Sequence, residues 1–250
     1  MIRVESISKS FGDKKVLNNF SASFQAGKIN LIVGKSGSGK TMAVKCMLGL
    51  HSVDSGHIYF GDRDFTSISD FQRQQIRKEI GMVFQGSALF DSMTIKENVL
   101  FPLKMSQKTP LKEMEARVDF CLNRVDLKGV HDLYPSEISG GMQKRVAIAR
   151  AISLNPKYLF CDEPNSGLDP TTAAVIDNLL QEITSEYNIT TVINTHDMNS
   201  AVQIGDHIIF IKDGENNWSG TKKSFLNSDS SDLNEFIFSS SVFKKLKDKF

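Results

Sequence analysis

The run Gly34-Lys35-Ser36-Gly37-Ser38-Gly39-Lys40-Thr41 follows an apolar, β-branched stretch, Ile29–Val33, and leads into Met42–Leu50, which has helical character. No other feature restricts the fold as much. The pattern G-x-x-x-x-G-K-T between a strand and a helix is a phosphate-binding loop. Its glycines let the backbone wrap closely enough for successive N–H groups to face phosphate oxygens, and the helix N-terminus adds partial positive charge. In such a loop Lys40 reaches the β and γ phosphates, and the Thr41 hydroxyl sits on Mg²⁺. The motif implies a nucleotide and an α/β sheet that delivers ligand-binding residues to its carboxyl edge. By itself it does not separate kinases, GTPases and ATPases.

Seven further strand candidates, Ile2–Ile7, Phe20–Phe24, His57–Phe60, Ile80–Phe84, Tyr158–Cys161, Thr190–Asn194 and His207–Ile211, alternate with longer segments of helical spacing. That alternation predicts a mainly parallel sheet. The first two strands are separated only by the turn-rich stretch Phe11–Asn19, too short for a crossover helix, so they form an antiparallel flank. Between Gln85 and Pro156 strand-like runs nearly vanish, and Leu111, Met114, Val118 and Leu122 recur at helical spacing, which predicts a helical insertion. After Asp213, turn residues surround short apolar pieces, the mark of a tail or small appendage.

With 30 Lys+Arg against 29 Asp+Glu the formal net charge is +1, so nothing global points to nucleic acid. Three widely spaced cysteines, Cys46, Cys121 and Cys161, suit a reducing compartment and a packing role. Arg3 and Glu5 stand where a secretory signal needs its apolar stretch, and no apolar run reaches membrane-helix length. The expectation is a chain soluble on its own, with any membrane work done through a partner.

The apolar run Tyr158–Cys161 ends in Asp162-Glu163. Delivered to the sheet edge, Asp162 would hold Mg²⁺ directly or through water, and Glu163 would orient and deprotonate an attacking water.

Other pieces fall in a fixed order around these. Phe11 precedes the phosphate loop, where an aromatic face can stack on adenine, with Val16 completing the apolar contact. Gln85 follows Gly81–Phe84, Ile138-Ser139-Gly140-Gly141-Met142-Gln143-Lys144-Arg145 opens an alanine-rich segment, Asn165-Ser166-Gly167-Leu168-Asp169 follows Pro164, and Thr195-His196-Asp197 ends a later strand. Together they resemble the nucleotide-binding subunit of ATP-binding-cassette (ABC) transporters over residues 1–222.

The resemblance implies a P-loop NTPase (RecA-like) parallel sheet core with an antiparallel β flank and an inserted helical subdomain at about 87–155, followed by a C-terminal tail at 223–250. It implies an ATPase using ATP and Mg²⁺, with Glu163, His196 and Lys40 catalytic. The nucleotide would be held by Phe11, Val16, Gly34, Lys35, Ser36, Gly37, Ser38, Gly39, Lys40, Thr41 and Gln85, and the metal by Thr41, Gln85 and Asp162. Ser139, Gly140 and Gly141 would bind the ATP of a partner subunit, so that two copies sandwich two nucleotides head to tail. Asp169 would cross the dimer interface, and His196 would contact the γ-phosphate and the attacking water.

Met142 stands where the family usually has Gln, Asn165 where Thr or Ser is commoner, and Phe11 where Tyr is commoner. None of these removes a catalytic group. The Met142–Arg145 variant, with Phe84–Thr94 and Asp162–Asp169, looks like the bacterial branch that energises phospholipid trafficking with an Mce-type lipid-binding partner; the alternative is an amino-acid, other solute or lipoprotein transporter, or a cell-wall regulatory complex. Permease subunits would dock near Gln85–Met93, where Leu89, Phe90 and Met93 serve as groove lining, as core, or as both. The expected location is the cytoplasmic face of the bacterial inner membrane, with no nucleic-acid partner. A translation-type cassette would need two cassettes or a coiled coil, and a binding-only clamp would have lost Glu163 or His196. At the extreme C-terminus, Phe243, Leu246 and Phe250 alternate with lysines as a short basic amphipathic helix, suited to a membrane face, to the partner ATPase, or to a frayed end.

Overall fold

The computed structural model describes residues 1–106 and 110–239. In chain order the elements are β1 (Ile2–Phe11), β2 (Lys14–Phe24), β3 (Ile29–Val33), α1 (Lys40–Met47), β4 (Ser55–Phe60), β5 (Arg63–Asp64), α2 (Asp70–Arg77), β6 (Ile80–Val83), α3 (Ile95–Ser106), α4 (Leu111–Arg124), a 3₁₀ turn (Pro135–Glu137), α5 (Gly140–Ile152), β7 (Tyr158–Asp162), α6 (Pro170–Glu186), β8 (Thr190–Asn194), α7 (Met198–Ile204), β9 (His207–Lys212), β10 (Glu215–Thr221), α8 (Lys222–Leu226) and α9 (Ser231–Ile237). They fall into two compact units, Met1–Ser69 with the segment from Val192 onward, and Asp70–Thr191.

In the first unit β1 and β2 form an antiparallel hairpin whose two-residue turn is Gly12-Asp13, with Phe11 paired to Lys14. The hairpin belongs to a four-stranded antiparallel sheet in the order β2-β1-β4-β5, the flank expected from the short connection. Its inner face buries Ile2, Ile7, Leu17, Phe20, Phe24 and Phe60, each worth about 1.5–3 kcal/mol of transfer free energy. Strand β3 runs parallel to β9, pairing Asn30 with His207 through Val33 with Phe210. All five β3 residues are buried. A strand covered on both faces reads as a continuous apolar run, which is why its sequence does not alternate.

Beyond Asp213, β10 pairs antiparallel with β9, Trp218 lies 5.7 Å from Phe225, and Phe236 stacks on Phe210 at 5.1 Å. The apolar pieces between the turn residues are therefore anchors on the β9 edge. Phe243, Leu246 and Phe250 lie outside the described residues.

In the second unit β6 runs parallel to β7, from Ile80 opposite Tyr158 to Val83 opposite Cys161. A Cβ on Gly81 would lie 2.4 Å from the Ala151 carbonyl oxygen, so only glycine lets α5 pack this close to β6. The segment between β6 and β7 is helical, as its spacing predicts: α4 buries Met114, Val118, Cys121 and Leu122 on one face. Buried Asn98 on α3 pins the preceding loop, its amide donating to the carbonyls of Phe90 (3.1 Å), Met93 (3.1 Å) and Thr94 (3.0 Å) while its oxygen accepts from the Phe90 N–H (2.8 Å).

Candidate active site

In the first unit, β3 turns directly into the phosphate loop. A Cβ on Gly34 would come within 2.4 Å of the Ile211 carbonyl oxygen, so the loop can lie against β9 only without a side chain there. Gly39 has φ 107°, a conformation L side chains rarely adopt, and a Cβ there would lie 2.8 Å from the Val16 carbonyl oxygen. Expected adenine neighbour Val16 and the end of the loop are thus brought together. Gly39 gives α1 no side-chain cap, and a helix opening this way offers its first-turn N–H groups and dipole to an anion.

Lys40 is 7% exposed and folds back over the loop, donating to the carbonyls of Gly34 (2.9 Å) and Lys35 (3.1 Å). Among the described residues the buried Ser38 hydroxyl has no hydrogen-bond partner. A cradle closed to a Cβ at Gly34 and Gly39, holding the Ser38 hydroxyl and a lysine at the head of a helix, fits the phosphates of a nucleotide. The Lys35 ammonium instead pairs with Glu235 of α9 at 2.7 Å, so Lys35 serves the loop through its backbone. That pairing holds the Glu235 carboxyl below its ordinary range.

Thr41 accepts a hydrogen bond from the Asn194 amide at 3.1 Å. One residue on, the Thr195 N–H donates to the Ile32 carbonyl at 3.1 Å, fixing the end of β8 against β3. Exposed His196 follows, in the short link before α7, which is capped by Asp197 accepting from the Asn199 N–H (2.8 Å). Phe11 is 46% exposed at the hairpin tip, with His51 edge-on at 5.5 Å and the Lys9 ammonium 5.5 Å from its ring centroid. One aromatic face is thereby ordered for stacking.

In the second unit, β7 ends in Asp162, and Glu163 follows with φ 49°. A non-glycine residue held there carries strain, which is common where a side chain must be aimed at chemistry. The turn is closed by the Ser166 N–H donating to the Glu163 carbonyl (3.1 Å), and Asn165 donates to buried Asp177 of α6 at 2.7 Å. That bond gives the Asn at this position a function that Thr or Ser is too short to serve. Asp169 caps α6, accepting from the N–H groups of Thr171 and Thr172, both at 3.0 Å. Hydrogen bonds from the Thr172 hydroxyl and N–H hold its carboxyl below the usual range.

Gln85 is exposed, and its amide donates to the Ser166 hydroxyl at 3.2 Å. Its carbonyl accepts from Lys144 of α5, a lysine only 5% exposed. Burial lowers the Lys144 pKa from lysine's ordinary value, against the opposing pull of Asp162 and Glu163. Ser139 caps α5, accepting from the Met142 N–H at 3.3 Å, and a Cβ on Gly141 would lie 2.6 Å from the Thr172 methyl. Gly140 has open space around it.

A sequence model of the ABC transporter family matches residues 17–166. The methionine import ATP-binding protein MetN of Clostridium acetobutylicum is 37% identical over 237 residues, 95% of this chain and 74% of that one. This chain belongs to the ABC transporter family.

Among curated relatives, MetN of Clostridium tetani is 39% identical over 84% of this ABC protein, and the sulfate/thiosulfate import ATP-binding protein CysA 2 of Agrobacterium fabrum is 38% identical over 89%. The ABC chain spans 66% and 64% of their respective lengths. A solved dimer of the ATP-binding cassette MJ0796 in a post-hydrolysis state bound to ADP and Pi superposes with a TM-score of 0.81 at 32% identity, covering 89% of this chain and 99% of that one. CbiO1 of Clostridium perfringens gives 0.85 at 27% identity, covering 98% of each. The fold is therefore that of a P-loop ABC ATPase with parallel and antiparallel sheet.

No sequence motif marks Asn194, Arg150 or Asp177. Asn194 had a signal, an amide closing the otherwise buried run Thr190–Ile193. Arg150, in the last turn of α5, donates to the carbonyls of Ser87 (2.9 Å) and Ala88 (2.8 Å), just past Gln85, and no local pattern announces that.

Proposed function

We propose that this chain is the ATP-hydrolysing subunit of a bacterial ABC importer for a small polar solute, with an amino acid such as methionine ahead of an inorganic oxyanion. The observation that carries it is 39% identity over 84% of the chain to a methionine import protein. CysA 2 supports the oxyanion as a second reading. Phospholipid trafficking with an Mce-type partner, expected from the Met142 variant, has no support from these relatives, and the solute alternative takes its place.

In this reading the phosphate loop and Lys40 grip the β and γ phosphates, Phe11 and Val16 hold the adenine, and Thr41, Gln85 and Asp162 are the side chains that would hold Mg²⁺, which supplies charge neutralisation on the phosphates. Glu163 takes a proton from water while His196 holds the in-line geometry. Ser139, Gly140 and Gly141 cap the γ-phosphate bound by a second copy, as expected of a two-fold ATP sandwich. The dimeric structure of the MJ0796 cassette supports the association of two copies. Permease subunits dock near Gln85–Met93, which places the chain peripherally on the cytoplasmic face of the inner membrane. Among the described residues no helix is long and apolar enough to cross a membrane.

The test is co-purification of the tagged chain from detergent-solubilised membranes of its host, with the partners identified by mass spectrometry. A multi-span permease with a solute-binding protein is the expected result. An Mce-type partner would restore the lipid reading.

A further inference from the structure

We infer that Asn194 is a positioning residue for the Thr41 hydroxyl, turning it toward the metal of the bound nucleotide. Asn194 closes β8 with no exposed surface, after a run in which every residue is buried. Buried polar groups are ordinarily hydrogen-bonded, and the donor end of this amide is. Its Nδ2 donates to Thr41 Oγ1 at 3.1 Å, across 153 residues of sequence. The Thr195 N–H, held by the Ile32 carbonyl, keeps this strand end beside the strand that becomes the phosphate loop.

Thr41 lies in the first turn of α1 and is itself exposed. A helical threonine divides its time between two χ1 rotamers, because its hydroxyl can also bond back to a carbonyl one turn earlier. A donor fixed on a β-strand selects one of them. The hydroxyl has two lone pairs and one proton. The amide N–H occupies one lone pair, and the other stays available to a cation. Because the amide is neutral and presents a donor, Asn194 does not compete for that cation. The strand end that carries His196 is by the same bond tied to the metal-side hydroxyl.

The inference rests on Thr41 acting as a Mg²⁺ ligand. The test is equilibrium binding of a fluorescent, slowly hydrolysed ATP analogue to the full chain, in EDTA and across a Mg²⁺ titration. For Asn194→Val, and for Asn194→Ala as a second variant, affinity in EDTA is expected to stay within about twofold of the parent. The Mg²⁺ concentration for half-maximal enhancement should rise about tenfold, the scale of one neutral hydrogen bond. Thr41→Ala should show the same shift, and adding Asn194→Val to it should change nothing further. Parental Mg²⁺ dependence in the Asn194 variants, or an equal loss of affinity with and without Mg²⁺, overturns the inference. Parental Mg²⁺ dependence in Thr41→Ala overturns the metal role of Thr41 itself.

Discussion

Replacing Arg150 by Met should loosen the loop after Gln85 without unfolding the protein. In the parent, the two terminal nitrogens of one guanidinium donate to the carbonyls of Ser87 (2.9 Å) and Ala88 (2.8 Å). Both residues are held at positive φ, 62° and 50°, which L side chains adopt at a cost. Each charge-assisted bond is worth about 1.5–3 kcal/mol, so the pair has a ceiling of about 6 kcal/mol. Two terms reduce this. Burial disfavours the guanidinium, which holds the Arg150 pKa below arginine's ordinary value, and that cost vanishes with the side chain. The Ala88 carbonyl belongs to an exposed residue and regains water, whereas Ser87 is 4% exposed.

The net local loss is about 2 kcal/mol, or about thirtyfold in the opening equilibrium. Hydrogen–deuterium exchange of a peptide covering 85–93 should therefore accelerate about thirtyfold, because the Ser87 and Ala88 amides are bonded within the loop, to Phe84 (2.9 Å) and Gly86 (2.7 Å). Amides of α1 serve as the internal control. Arg150→Lys, which offers a point charge without the fork, should recover about half of the protection. A folded Arg150→Met protein with parental exchange in that peptide would refute the reasoning, since the loop would then be held by something other than the arginine.

Glu163→Gln should lower ATP turnover by about 10²- to 10⁴-fold with nucleotide binding retained, and normal turnover in a steady-state phosphate-release assay would remove Glu163 as the base. His196→Ala should lose turnover similarly, with retained ATP binding by fluorescence; lost binding would assign it a structural role instead. Burial pushes the thiols of Cys46 and Cys121 up to about 11, so at pH 8 only about one in a thousand is thiolate. A thiol-specific chromogenic reagent should therefore label neither in the native protein and both after urea. The same shift favours the folded state fully below pH ~9, and this contribution disappears as pH rises toward 11, so the urea midpoint should fall across that window and not below it.

The parts of this molecule that were legible in its sequence are those whose chemistry is local. The phosphate loop, its flanking strand and helix, and the Asp162-Glu163 strand end each declare themselves within about ten residues, because turn geometry, helix dipole and strand burial all act at that range. The bonds that aim the site act over longer separations. Asn194 reaches Thr41 across 153 residues, Lys144 reaches Gln85 across 59, and Arg150 reaches Ser87 across 63. Strand β10 was hidden for a related reason. Glu215-Asn216-Asn217-Trp218-Ser219-Gly220-Thr221 has the composition of a turn, and it becomes a strand only by pairing with β9.

The basic residues of α5 show what that long range accomplishes. A cation run on a helix is ordinarily a solvated face, yet in α5 each charge goes to backbone carbonyls. Lys144 takes Gln85, Arg145 takes Val125 (3.3 Å) and Asp126 (2.9 Å), and Arg150 takes Ser87 and Ala88. Three of those acceptors, Ser87, Ala88 and Asp126, are non-glycine residues at positive φ. The helix thus holds two strained turns in place, and its N-terminus is the Ser139–Gly141 segment. A displacement of α5 by an anion at that end must either carry the Gln85–Ala88 loop with it or break charge-assisted bonds.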